Sequence, residues 1–451
     1  MAGARAEISE GAHGCAPERP RTWSRAPGPS APPGQGLLPA CYHAPTAPMG
    51  RAIGPRGWLM KTATSSFTAA DVAEMVATRR DLHAHPELAF EEQRTAALVA
   101  EKLKALGLEP RTGVGRTGVL ATVRGARGGK TVLLRADMDA LPIQEENSAP
   151  YRSQTPGKMH ACGHDCHTSI LLGIARRLAR ERGELRGAVK LCFQPAEETG
   201  GGAEAMIKDG VLDSPKPDAA FGVHVWQDLD LGTIGVTPGP MMAAVDEFAV
   251  TLTGKGAHAA MPHLGVDPVV CLAHVVTALQ TIASRNVSPL ESVVVSVTQL
   301  KAGSAFNIIP ESAWLNGTVR VFDETVWAGL PDRFERIVRG VCDALGCRAE
   351  IAYKRCNRPT VNDPGMAAVA RAAAVEVVGE ANVIDDVRTM GGEDFSAFLH
   401  HVPGCFIAVG SRNREKGLTW DHHHPRFDVD EASLEIGAEV LLRAARRFLD
   451  S

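Results

Sequence analysis

The chain has 451 residues, of which 44% are hydrophobic and 22% charged, with a net charge of −4. That length leaves room for two or three domains with sizeable cores, and the slightly acidic balance argues against nucleic acid or an anionic membrane as a partner. No apolar run is long enough to span a bilayer, and 10 scattered cysteines without a compact framework fit a reducing compartment, which predicts a cytoplasmic location.

Residues 1–62 form a Pro/Ala/Gly/Arg-rich tail with no hydrophobic period, and this composition predicts disorder. It lacks the continuous apolar core of a secretory signal. Met60 would be a natural alternative start just ahead of the first helix. From there, apolar spacing predicts helices over Thr68 to Leu82 and Thr95 to Leu106, the second ending at Gly107. Gly118 to Val123 and Thr131 to Arg135 read as strands, Cys166 to Arg182 as a helix, and Ala188 to Phe193 and Ala220 to Val225 as further strands. Alternating helices and short apolar strands indicate an α/β layered domain.

The middle of the chain changes character. Strands are predicted over Asp246 to Thr253, Ser292 to Leu300, Ser312 to Val321 and Arg348 to Tyr353, with helices over Val266 to Ser284 and Glu324 to Leu345. This β-α-β-β-α-β order is the split motif of a ferredoxin-like domain. Cys192, Cys271 and Cys342 read as small core hydrophobes. After Thr360 the α/β pattern resumes: a helix over Met366 to Val378, a strand over Cys405 to Val409 and a closing amphipathic helix over Asp430 to Leu449. The expected architecture is therefore α/β, with a mixed-sheet catalytic domain (63–241 and 357–451) carrying an inserted ferredoxin-like α+β domain (242–356).

Chemistry concentrates in Met159-His160-Ala161-Cys162-Gly163-His164-Asp165-Cys166-His167. Imidazole and thiolate are the best protein ligands for borderline transition metals. In an extended segment alternate side chains share a side, which would group His160, Cys162 and His164. The segment Gln194-Pro195-Ala196-Glu197-Glu198 then places two acids after a strand. They suit a division of labour in which one carboxylate ligates metal and its neighbour acts as general base; a solvated loop is the plainer reading. His224 lies at the end of an expected parallel strand, where α/β sites collect, although such a histidine also serves in cores. Of the three histidines in Asp421-His422-His423-His424-Pro425, at least one could reach the site. Asp137 and Asp139, after their strand, could orient a ligand imidazole through its second nitrogen, or simply stabilise a turn.

Taken together, these segments resemble the amidohydrolase branch of the M20 metallopeptidases, which includes hippurate hydrolases and auxin-conjugate hydrolases. The resemblance runs from about Ala70 to the C-terminus. It rests on Arg79-Arg80-Asp81-Leu82-His83-Ala84-His85-Pro86-Glu87, Arg135-Ala136-Asp137-Met138-Asp139-Ala140-Leu141-Pro142, the Cys/His segment, the Glu197-Glu198 segment, Gly254-Lys255-Gly256-Ala257-His258, Asn307-Ile308-Ile309-Pro310 and Gly391-Gly392-Glu393-Asp394-Phe395.

The resemblance implies two divalent ions per subunit (manganese or zinc, with cobalt and nickel left open), held by Cys162, His164, Glu198, His224 and His423. Pro425 sets the register that selects His423, and Cys162 would bridge the ions. Glu197 would be the general base for a metal-activated water, and His258 would stabilise the oxyanion. Asn307 and Arg320 would lie near the substrate carboxylate. The implied reaction is hydrolysis of the amide of N-acyl (benzoyl- or acetyl-type) amino acids by a homodimer paired through the inserted domain. Deacetylation of an N-acetyl-diaminopimelate-type substrate, hydrolysis of N-carbamoyl amino acids, and non-catalytic binding of acylated amino acids are the alternatives. His160, Asp165 and His167 are left with supporting roles in the loop, and Cys166 with packing.

Overall fold

The computed structural model describes residues 65–451, so the tail and Met60 lie outside the described residues. The larger sheet has eight strands, in the spatial order Arg111–Val114, Gly118–Arg124, Arg186–Gln194, Arg127–Asp137, Ala219–Asp230, Gly404–Arg412, Ile234–Gly235 and Val383–Ile384. Its four central strands are mutually parallel, and the strands beyond them on both sides include antiparallel partners. The sheet is therefore mixed, as expected. Residues 131–137 are buried without alternation, as befits a strand covered on both faces. One face carries the helices Ala69–Ala84, Gln93–Ala105, His164–Arg180, Pro364–Val378 and Ala432–Asp450, packed through residues such as Met75, Val99, Ile170 and Leu441. The other face packs on Phe395, Phe398, Phe406 and Met206.

The first helix starts at a complete capping box, in which the Thr68 hydroxyl accepts from the Asp71 amide and the Asp71 carboxylate accepts from the Thr68 amide. No helix among the described residues is long and apolar enough to cross a membrane.

The second sheet is antiparallel, in the order Val293–Ala302, Ser312–Val321, Ala244–Thr253, Arg348–Asn357. Burial alternates along Ala244–Thr253, so one face is apolar. The helices Pro268–Leu279 and Leu330–Leu345 cover that face, with Phe248, Leu252, Val275 and Phe334 in a core of their own. Chain order and strand order together are those of the ferredoxin-like motif read from the sequence. Cys192, Cys271 and Cys342 are buried and free, in keeping with their reading as core hydrophobes.

Two helices differ from expectation. The one predicted over Glu324 to Leu345 is split into Glu324–Ala328 and Leu330–Leu345. Pro331 has no N–H to continue the first helix and so sits in the opening turn of the second. The one predicted over Val266 to Ser284 closes as an α-helix at Leu279 and continues into a π-type turn, Ile282–Asn286. A two-stranded ribbon pairing Ala257–His258 with Ile308–Ile309 was not anticipated, because two-residue strands carry no readable period.

Candidate metal centre

The carboxyl ends of the central strands converge on one place, which is where open α/β sheets collect ligands. Asp137 ends one strand beside Gln194, the last residue of its neighbour. Glu197 and Glu198 follow in the next turn, and His224 lies on the adjacent strand. Donor atoms of Cys162, His164 and His224 lie within 4.8 Å of one another, as do those of Cys162, Glu198 and His423, and those of His164, Glu197 and Glu198. The three groups overlap, so all five expected ligands and the expected base share one cluster.

The grouping of His160 with Cys162 and His164 does not occur. Gly163 has φ 94° and His164 already begins the helix, so the chain turns instead of alternating. Only glycine fits there, since a Cβ would sit 2.3 Å from Val225 Cγ2. His160 is buried against His83, with ring centroids 6.3 Å apart. Starting the helix at His164 rather than Cys166 directs Asp165 to Arg79 and His83, and His167 to Asp137.

Two of these imidazoles, His164 and His224, are oriented through their second nitrogen. His164 Nδ1 lies 2.9 Å from the Asp139 carbonyl oxygen and 3.2 Å from its carboxylate, and His224 Nδ1 lies 2.5 Å from the Val225 carbonyl oxygen. Donation from Nδ1 leaves the Nε2 lone pairs directed at the cluster. His224 Nε2 is 3.5 Å from Cys162 Sγ, and His423 Nε2 is 3.4 Å from Glu198 Oε1. His423 holds φ 65° and donates its amide to Ala161 O. Its neighbours are engaged elsewhere: His422 Nε2 accepts from the Gln227 amide, and His424 stacks on Trp420 at 4.2 Å. Asp139 orients His164, whereas Asp137 orients His167, whose Nε2 accepts the Val225 amide.

These residues fit divalent cations. The buried His164 Nε2 has no hydrogen-bond partner among the described residues and lies 4.0 Å from Glu198 Oε1. Burial pushes the His164 pKa down, but Asp137, Asp139 and Glu198 outweigh it and lift it to about 10. Burial together with Glu198 and Glu197 pushes the Cys162 thiol well up. Burial, Glu393 and Glu198 likewise push Glu197 well above the usual carboxylate range. So much negative charge in a water-poor place attracts positive charge.

Sequence reading gave no role to the residues behind Glu197. Buried Arg135 donates to Gln194 (2.8 Å), Asp137 (2.5 Å), Glu393 (2.8 Å) and Asp394 (3.0 Å). Oxygens of Glu197, Glu393 and Asp394 lie within 4.8 Å of each other. The Gly391 to Phe395 segment that carries Glu393 and Asp394 is also one of the motifs on which the resemblance rests.

A second buried network lies behind the Cys/His loop. Arg79 pairs with Asp165 (2.9 Å) and Asp428 (2.6 Å), and His83 with Asp165 (2.8 Å) and Glu145 (3.3 Å). Burial and Arg79 push the His83 pKa down, but Asp165 and Glu145 carry it up to about 9. A folded pKa above the unfolded value of about 6.5 means that His83 stabilises fully below pH 6.5, and that this contribution fades as pH rises through about 9. The contribution is on the order of 3 kcal/mol. Urea midpoints at pH 6 and pH 9.5 will therefore differ more for the native chain than for His83→Gln; equal differences would refute this linkage.

His258 and Asn307 stand outside the donor cluster, exposed on the two-stranded ribbon, where Ala259 N donates to Asn307 O. They border a cavity of about 560 Å³ with Ile309 and Glu311. Arg320 is half-buried in the second sheet, its guanidinium against Thr318 Oγ1 and Val319 O.

Residues 133–447 match the sequence profile of peptidase family M20/M25/M40. The chain is 41% identical over 378 residues to an N-acetyl-L-cysteine deacetylase of Bacillus subtilis, covering 84% of this chain and 89% of that one. It is 47% identical over 290 residues to an N-acyl-L-amino acid amidohydrolase of Geobacillus stearothermophilus, covering 64% and 78%. The crystal structure of a dinuclear metal-binding M20-family peptidase from Bacillus subtilis superposes with a TM-score of 0.75 at 34% identity, covering 85% of this chain and 99% of that one. With its donor cluster at the strand ends and these similarities along its length, the chain belongs to the M20/M25/M40 peptidase family, in its amidohydrolase branch, and is a hydrolase.

Proposed function

We propose that the protein hydrolyses the amide bond of N-acyl amino acids, with two divalent ions held by Cys162, His164, Glu198, His224 and His423. The convergence of these five donors with Glu197 carries the reading. Bound divalent ions would polarise the scissile carbonyl and make water a competent nucleophile at neutral pH. Manganese and zinc both suit this mixture of thiolate, imidazole and carboxylate. Glu197 takes the proton from the attacking water and passes it to the leaving amine nitrogen. His258 Nδ1 accepts the Ala260 amide at 3.1 Å, which leaves its Nε2–H free to donate to an oxyanion. The roles of Asn307 and Arg320 at the substrate carboxylate rest on the resemblance alone.

The domain division at 63–241 with 357–451, and 242–356, is supported by the separate core of the second sheet. The free thiols accord with a cytoplasmic location. An assay across N-acetyl, N-benzoyl and N-carbamoyl amino acids, with elemental analysis, tests the function. No turnover of any of them by metal-replete protein, despite tight binding, would favour a binding module instead.

Pairing of two copies through the inserted sheet is part of the same proposal. Its edge strand Val293–Ala302 leaves Leu300 56% exposed, and Phe306 nearby is 99% exposed. Open apolar edges of this kind are templates for strand addition. Light scattering should give a dimer, and Leu300→Glu with Phe306→Glu should give a monomer; a monomeric native chain at micromolar concentration would sink the idea.

A further inference from the structure

The turn that carries Glu197 and Glu198 is held in an unfavourable shape. Ala196 has φ 51°, the left-handed region that a residue with a Cβ avoids. Gly202 closes the turn so tightly that a Cβ there would lie 1.6 Å from Pro195 O. Three buried carboxylates from distant parts of the chain accept its backbone amides. Glu92 Oε1 accepts from Ala196 N at 2.9 Å. The two oxygens of Asp139 accept from Glu197 N and Glu198 N, each at 3.0 Å. Asp394 Oδ2 accepts from Ala203 N at 3.0 Å.

Glu92 and Asp394 are themselves held. Thr117 Oγ1 donates to Glu92 Oε2 at 2.5 Å. Gln194 Nε2 and Arg135 Nη2 donate to Asp394 Oδ1 at 2.6 and 3.0 Å. Asp139 also touches His164, so its effects would mix with those of a ligand. Glu92 is fully buried, and its side-chain bonds run to Ala196 and Thr117. Its hydrogen-bonded path to the reacting groups runs through the strained residue that precedes Glu197.

We propose that Glu92, backed by Thr117, is a positioning residue for the reaction: it holds the left-handed Ala196 and so fixes where the Glu197 carboxylate points. The inference rests on Glu197 being the base. A base displaced by about 1 Å loses on the order of a hundredfold in rate, while substrate affinity need not change.

The test uses the full chain with an N-acyl amino acid as substrate. Glu92→Ala should lower kcat about a hundredfold with KM changed less than about threefold, and keep both its metal content and a cooperative thermal transition. Glu92→Gln should restore kcat to within about fivefold, because the amide oxygen still accepts from Ala196 and the Thr117 hydroxyl can turn to accept from the amide nitrogen. A Glu92→Ala protein with kcat within about threefold of the native value would overturn the proposal. So would one in which metal is lost, or in which KM rises while kcat is kept. If Glu92→Ala fails to fold, Thr117→Val decides: a kcat down about tenfold at unchanged KM supports the clamp, and a native kcat overturns it. Glu197→Gln in parallel separates the two claims. If it is active, the base assignment fails; if it is inactive beside a fully active Glu92→Ala, only the positioning role fails.

Discussion

Glu197→Gln is expected to lower kcat on an N-acyl amino acid by about 10²–10⁴-fold while the protein stays folded. Glutamine keeps the volume of the side chain but cannot take up a proton. Glu197 is only 8% exposed, so water is poorly placed to substitute for it. Its carboxylate lies beside Glu198 and His164 on one side and beside Glu393 and Asp394 on the other. The change should leave metal content and thermal midpoint near native, because Glu197 lies beside the proposed ligands without being one of them. Steady-state kinetics, elemental analysis and a thermal melt on one preparation would check this, and a folded Glu197→Gln enzyme retaining a tenth of native activity would exclude Glu197 as the base.

Removal of divalent ions is expected to abolish activity, and replenishment with zinc or manganese to restore it. Five donors and several further acids crowd the strand ends, and without compensating cations their mutual repulsion and desolvation weigh on the fold. An ion bound only by the folded state at a thousand times its dissociation constant adds about 4 kcal/mol. The thermal midpoint should therefore fall on chelation as well. Native protein should carry two ions per chain and His224→Ala fewer. Full activity in chelator, with no metal detected, would remove the metal-dependent reading altogether.

Much of the site was legible because its chemistry is local in sequence. Cys162 and His164 stand two residues apart at the start of a helix, and Glu197 adjoins Glu198 just beyond a strand that hydrophobic patterning could place. The family resemblance, with Pro425 setting its register, points to His423 among three histidines, and the fold gives His422 and His424 other partners. The misplacement of His160 came from treating the loop as extended. One left-handed glycine, Gly163, turns the chain between Cys162 and His164, where an added Cβ would meet Val225 Cγ2.

The supporting residues were silent for a different reason. Arg135 and Glu393 are 258 positions apart, and Glu92 and Ala196 are 104 apart. A buried charge looks the same in a sequence as a solvated one, and only burial makes its partner obligatory. The ferredoxin-like order follows from periodicity, a property of short windows, whereas the break before Pro331 and the early end of the helix at Leu279 depart from it.

By itself, then, the sequence determined the layered α/β architecture and the inserted four-stranded motif, because periodicity suffices for these, while the five proposed donors come only from the family resemblance. Tertiary structure alone decided that the five proposed donors meet, that Asp139 rather than Asp137 holds the His164 ring, and that Glu92, Arg135 and Asp394 stand behind Glu197. Those are relations between distant segments, created when the sheet brings its strand ends together and excludes water from the charges between them.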